Sequence, residues 1–182
     1  MNVMTRPRMS LQEFLAWEAE QERKWEYDGH GPVEVTGGTR AHALIQVRLL
    51  AALHQRLEGT AFEVFGSELK IQVAGSIRYP EAFVALAGGV ASATVVHDPI
   101  VVFEVLSPST ERTDRTVKRR EYAATPSVRR YVILEQGKAA ATVFERAEAD
   151  WTERTLDASA VLDMPEIGIA VPLAEFYKGL LS

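Results

Sequence analysis

Glu104 is the residue with the strongest claim to chemistry. It lies inside Ile100-Val101-Val102-Phe103-Glu104-Val105-Leu106, a run that otherwise reads as a strand buried on both faces. Ser107-Pro108-Ser109-Thr110 ends that run, because proline has no N–H to give to a ladder. An unpaired ionised carboxylate in such a place costs several kcal/mol. A chain that keeps one there supplies a cation for it, either a metal ion or a lysine or arginine. A second carboxylate, Glu81, follows Tyr79-Pro80 and opens the apolar run Ala82-Phe83-Val84-Ala85-Leu86. Alone, Glu81 reads as a solvated residue at a strand start; its weight comes from the pairing with Glu104. If the two strands are neighbours, the two carboxylates come together. With a backbone carbonyl they make an all-oxygen site that suits Mg²⁺ or Mn²⁺ and not zinc.

Asp114, Lys118 and Tyr122 follow at every fourth position, on one face of a helix. One reading is an ordinary Asp-to-Lys helix pair worth about 0.3–0.5 kcal/mol. Another has Lys118 reach back to Glu104, where a lysine orients the attacking water and offsets phosphate charge. A third is a purely structural Glu104–Lys118 ion pair.

The elements that must position these groups read as α+β with a mixed sheet, not as a regular βαβ alternation. Ser10 with Glu13 makes a capping box, and Leu11, Phe14, Leu15 and Trp17 give the apolar side of a first helix reaching to about Arg23. Trp25 to Tyr27 and Val33 to Val35 flank Asp28-Gly29-His30-Gly31-Pro32 as a hairpin. Thr39 caps a long helix in which Leu44, Ile45, Leu49, Ala52, Leu53 and Leu57 recur at helical spacing, and Gly59 stops it. Ala61 to Phe65, Glu68 to Val73 and Tyr79 to Leu86 read as strands, followed by the Glu104 strand and a helix from Glu111 to Ala124. Arg130 to Leu134, Ala140 to Glu145 and Trp151 to Leu156 read as closing strands, and Ala174 to Leu180 as a short last helix.

The length of 182 residues fits a single domain, 1–182. Hydrophobic residues make up 47% and charged residues 25%, the profile of a globular protein. Without cysteine there is no disulfide scaffold and no thiolate metal site, which fits a reducing compartment. Neither a signal peptide nor an apolar run of the ~20 residues that span a bilayer is visible, so a cytoplasmic location and no membrane partner are expected. The formal net charge of −5 argues against a non-specific DNA coater, whose affinity comes from neutralising phosphates.

Tyr79-Pro80-Glu81, the stretch Phe103 to Thr110, and Asp114 with Lys118 and Tyr122 together resemble the Uma2 family of restriction-endonuclease-like proteins, within the PD-(D/E)XK nuclease superfamily. The similarity extends to Trp25-Glu26-Tyr27-Asp28-Gly29, to Thr36-Gly37-Gly38-Thr39-Arg40-Ala41-His42, to Gly66-Ser67-Glu68 and to Arg130-Tyr131-Val132. The resemblance implies a restriction endonuclease-like core, a central mixed sheet flanked by helices. It implies that Glu81 and Glu104 bind a divalent metal, Mg²⁺ or Mn²⁺, with the carbonyl of Val105. Glu26, taken as the end of the first helix, matches an upstream acidic residue that joins the site or holds a second ion. The superfamily lysine position is occupied by Leu106, so that role passes to Lys118. The family usually has aspartate where this chain has Glu81. His42 matches a family histidine that orients the site or contacts substrate.

The function so implied is metal-dependent hydrolysis of phosphodiester bonds in nucleic acid, DNA before RNA, with Glu81, Glu104 and Lys118 as the catalytic set. Arg115 and Arg119 belong to the densest basic stretch, with Arg112, Arg120, Arg129 and Arg130, and would bring phosphates to the metal. A solvated helix face explains the same stretch. The alternative class is a catalytically weak or inactive member that keeps the fold as a binding or assembly module, suggested by Glu81, by Leu106 and by the acidic net charge. A homodimer is expected only by analogy with soluble oligomers in general.

Overall fold

The computed structural model describes residues 8–107, 111–148 and 150–180. Pro108 to Thr110, the end of the motif after Glu104, lie outside the described residues. Helix α1 spans Leu11–Glu18 and opens on the expected capping box, Ser10 with Glu13. It stops several residues short of Arg23, in a turn at Ala19-Glu20. Strands β1 (Trp25–Tyr27) and β2 (Pro32–Glu34) form the expected hairpin. Helix α2 (Arg40–Leu57) is capped by Thr39, and Ile45, Leu49, Ala52, Leu53 and Leu57 are its buried stripe. Gly59 follows with φ of +74°, a conformation that spares only glycine a steric penalty.

The next strands are β3 (Phe62–Gly66), β4 (Lys70–Val73), β5 (Ser76–Arg78), β6 (Ala82–Leu86), β7 (Val95–Val96) and β8 (Val101–Val105). After β8 the helix is not α-helical throughout. Thr113–Lys118 is π-helical and runs into α3 (Arg119–Ala124). The chain closes through β9 (Arg130–Leu134), β10 (Ala141–Arg146), β11 (Trp151–Leu156), the hairpin β12 (Val161–Met164) and β13 (Ile169–Pro172), and a 3₁₀ turn over Leu173–Tyr177.

A six-stranded mixed sheet, ordered β11-β10-β9-β8-β6-β3, is the centre of the fold. Only β8 and β9 in it are parallel, which the intervening helix makes possible. A five-stranded sheet, β2-β1-β5-β4-β7, lies beside it. One face of the six-stranded sheet, with Val84, Val101, Phe103, Val105 and Val132, packs on Ile45, Leu49 and Leu53 of α2 and on Leu162, Val171 and Phe176. The other face, with Phe83, Val102, Tyr131, Ile133 and Phe144, meets Ile71 and Val73 of the second sheet and Tyr122 of α3. The two-residue period of β8 therefore puts Glu104 on the face of Val102 and Tyr122. No helix among the described residues is long and apolar enough to cross a membrane.

Candidate active site

The site forms where β6 begins and β8 ends. Ala82 pairs with Phe103 in the antiparallel β6–β8 ladder, and continuing that register by one residue sets Glu81 beside Glu104. The two carboxyl groups are hydrogen-bonding neighbours. Glu104 is 3% exposed, and Val105, next along the strand, donates its N–H to Glu81 Oε2 at 3.3 Å.

Lys118 and Tyr122 reach Glu104 from the helix. The ammonium lies 2.8 Å from Glu104 Oε1, 3.1 Å from Asp114 Oδ1 and 3.7 Å from Glu26 Oε1. Tyr122 donates its hydroxyl to the same Glu104 oxygen at 2.9 Å. The direct Glu104–Lys118 ion pair therefore forms, and both contacts land on Oε1 alone. Lys118, 5% exposed, is paired with the protein's own carboxylates.

Burial pushes Glu104 well above the ordinary carboxylate range; Lys118 opposes that, while Glu81 and Glu26 add to it. For Lys118, burial lowers the value, but Glu104, Glu26, Asp114 and Glu81 outweigh it and hold the ammonium charged. Four carboxylates thus act on one lysine.

Glu26 sits in the middle of β1, not at the end of α1 as the sequence suggested. Its Oε2 accepts from Arg78 at 2.9 Å and its Oε1 from the Tyr79 N–H at 3.1 Å. Arg78 is 1% exposed and grips Glu121 of α3 with two nitrogens, at 2.7 and 2.6 Å. This bracket ties β1 and β5 to the helix that carries Lys118.

His42, in the first turn of α2, places Nε2 2.9 Å from Glu81 Oε1. Burial holds its pKa below the ordinary histidine value, against the pull of Glu104 and of a hydrogen bond to the Val105 backbone.

These groups meet at a cleft of about 730 Å³ that Glu26, His42, Glu81, Glu104 and Lys118 all line. Arg115 and Arg119 do not line it. Arg115 bonds Glu135 at 2.6 Å and Thr142 at 3.3 Å, and Arg119 covers the Phe144 ring at 4.7 Å. Nor do the basic residues form one face: Lys118 and Arg130 are buried, whereas Arg112, Arg120 and Arg129 are exposed. Among the described residues, no group of three or more His, Asp or Glu side chains is arranged to hold a metal ion.

Sequence reasoning missed Arg78, Glu121 and Gln46. Gln46 donates to the Glu81 carbonyl at 3.1 Å and to Ser67 Oγ at 3.0 Å. Its position one helical turn after His42 was the available signal. Arg78 gave a fainter one, a charge beside Ile77 just before the Tyr79-Pro80-Glu81 motif.

Paired acidic residues on adjoining strands, with a lysine from the following helix, on a mixed sheet between helices, define a restriction-endonuclease-like fold. The chain belongs to the Uma2 family, described as "Putative restriction endonuclease", whose profile matches residues 11–173. It is 32% identical over 178 residues to the uncharacterised protein slr1290 of Synechocystis, covering 96% of this chain and 94% of that one. It is similar in fold to the crystal structure of a "putative nuclease belonging to DUF820" from Anabaena variabilis, with a TM-score of 0.80 at 16% identity over 95% of this chain and 99% of that one.

Proposed function

We propose that the chain hydrolyses phosphodiester bonds of nucleic acid, DNA first, with Mg²⁺ or Mn²⁺ held by Glu81, Glu104 and the Val105 carbonyl. The observation that carries this reading is the meeting of two carboxyl groups at a cleft floor with one oxygen of Glu104 untouched by Lys118 and Tyr122. Two carboxylates and a carbonyl, with water completing the shell, suit Mg²⁺, which keeps several waters and needs one or two carboxylates. Four carboxylates around one lysine also leave negative charge for a divalent cation to balance. When bound, the ion supplies Lewis-acid polarisation of the phosphate.

The chain's own residues do the positioning. Lys118 and Tyr122 fix one oxygen of Glu104 and so orient the other. His42 and the Val105 N–H hold the two oxygens of Glu81. The bracket of Glu26, Arg78 and Glu121 keeps the lysine helix against the strands.

The test is incubation of the purified protein with plasmid and with single-stranded DNA in Mn²⁺, beside Glu104→Gln. Cleavage by the wild type and at least a 100-fold loss in the variant are expected, the order of magnitude for removing one preorganised charge from a reacting centre. Undiminished cleavage by the variant overturns the mechanism.

A binding or assembly module is the second reading. It is favoured by one observation: Arg78 and Lys118, the cations lining the cleft, are both buried and paired with carboxylates. Mn²⁺ binding abolished by Glu104→Gln counts against it.

A further inference from the structure

We infer that the first turn of α2 sets the position of the Glu81 carboxylate, with Gly38 as the seat that holds His42 in place. The inference rests on the metal-dependent reading above for its consequence, though not for its geometry. Glu81 is gripped at three points. His42 Nε2 stands 2.9 Å from Oε1, the Val105 N–H 3.3 Å from Oε2, and Gln46 donates to the backbone carbonyl at 3.1 Å. Two of the three grips come from α2.

The helix start is itself anchored to the site. The Thr39 hydroxyl oxygen accepts the His42 N–H at 3.2 Å, and the hydroxyl donates to Gln136 at 2.7 Å. Gln136 in turn donates to the Leu106 carbonyl at 2.7 Å, just past Val105. One chain of hydrogen bonds therefore joins the cap of α2 to the end of β8.

Gly38 completes the arrangement by being absent where a side chain would be. A Cβ there would lie 2.7 Å from both Cγ and Nδ1 of His42 and 3.1 Å from its Cβ. The ring cannot give way without leaving Glu81. At Gly37, one residue earlier, a Cβ would meet nothing within 4 Å. Neither glycine has a left-handed φ, so alanine is tolerated by the backbone at both and the pair isolates the effect on the ring. His42, Gln46 and Gly38 act through Glu81 and are positioning residues.

The experiment compares Gly37→Ala, Gly38→Ala, His42→Ala and His42→Gln with the wild type in two measurements. The first is the ¹³C carboxyl shift of Glu81 in the metal-free protein, assigned with Glu81→Gln. The second is Mn²⁺ affinity by calorimetry. Gly38→Ala and His42→Ala should move the Glu81 signal and weaken Mn²⁺ binding about tenfold, the order seen when a partner that orients a ligand is lost. Gly37→Ala should match the wild type, and His42→Gln, which keeps an N–H donor, should recover part of the affinity. A Glu81 signal unmoved by Gly38→Ala and His42→Ala overturns the inference whether or not metal binds. Failure of the wild type to bind Mn²⁺ overturns the metal-dependent reading, and the carboxyl shift then decides the positioning claim alone.

Discussion

At the start of β9, Arg130 donates to Glu145 at 2.5 Å and to Glu166 at 2.6 and 3.0 Å, and Arg154 meets Glu145 at 2.7 Å from the edge strand. At the far end of the neighbouring β8, Lys118 faces Glu104, Asp114 and Glu26, with Glu81 just beyond. The two clusters share one pair of parallel strands, since Val101 pairs with Arg130 and Glu104 with Ile133. In the first, two guanidinium groups serve two carboxylates, and Arg154 and Arg130 hold Glu145 below its ordinary pKa despite its partial burial. In the second, acids outnumber the cation, and burial, with Glu81 and Glu26 adding to it, pushes Glu104 up against the pull of Lys118. Burial alone does not mark a functional charge. Imbalance does, because a cluster that only holds the fold together can be made neutral at no cost to its task.

Breaking each cluster at its cation gives the largest expected effects. Lys118→Met should cost about 3–5 kcal/mol of stability in urea unfolding, the range for stranding buried carboxylates without their partner. Part of that loss should return in acid, where the stranded carboxylates take up protons. Arg130→Met should cost less, about 2–3 kcal/mol by the same principle, because Glu145 is 29% exposed and reaches water. A larger loss from Arg130→Met than from Lys118→Met would erase the contrast.

A smaller effect sharpens the contrast through pH. Glu104 has a folded pKa above its ordinary 4.5, so its contribution is full below 4.5 and is lost as pH rises through the folded value. Glu145 has a folded pKa below 4.5, so its contribution is present above 4.5 and is lost as pH falls through the folded value. Glu104→Gln should therefore flatten the decline in stability on the neutral side, and Glu145→Gln the decline on the acid side. Urea midpoints from about pH 3 to about pH 8 check both signs.

The cleft's centre was legible in the sequence because its signals are local. A charge in the run Ile100 to Leu106 stands out against apolar neighbours, and Asp114, Lys118 and Tyr122 share a helical period. The π-helical turn did not spoil that spacing, since Lys118 and Tyr122 still converge on Glu104. What stayed hidden pairs distant residues with no common period, as Arg78 does with Glu26 and Glu121, or Arg130 with Glu166. Arg130 read as part of a phosphate-carrying face for the same reason: its partners are far away in the chain. Strand β5 was missed because one strand was read as ending at Val73 and the next as starting at Tyr79, with Ala74-Gly75 between them. Both residues have positive φ, 45° and 83°, which makes them the tight turn that joins β4 to β5. Hairpin β12–β13 was missed although Leu162 and Met164 alternate with exposed neighbours, a short period-two signal over four residues.

The hairpin that walls the cleft joins its sheet through one paired position, Tyr27 with Ile77. Around that rung Glu26 contacts Arg78, the Tyr79 N–H and Lys118, Lys24 bonds Ser67 and Glu68, and Tyr27 packs against Phe14 and Ile77. Strand β8, by contrast, is laddered on both sides. The wall is thus held mainly by side chains, and the floor that carries Glu81 and Glu104 by its backbone ladder.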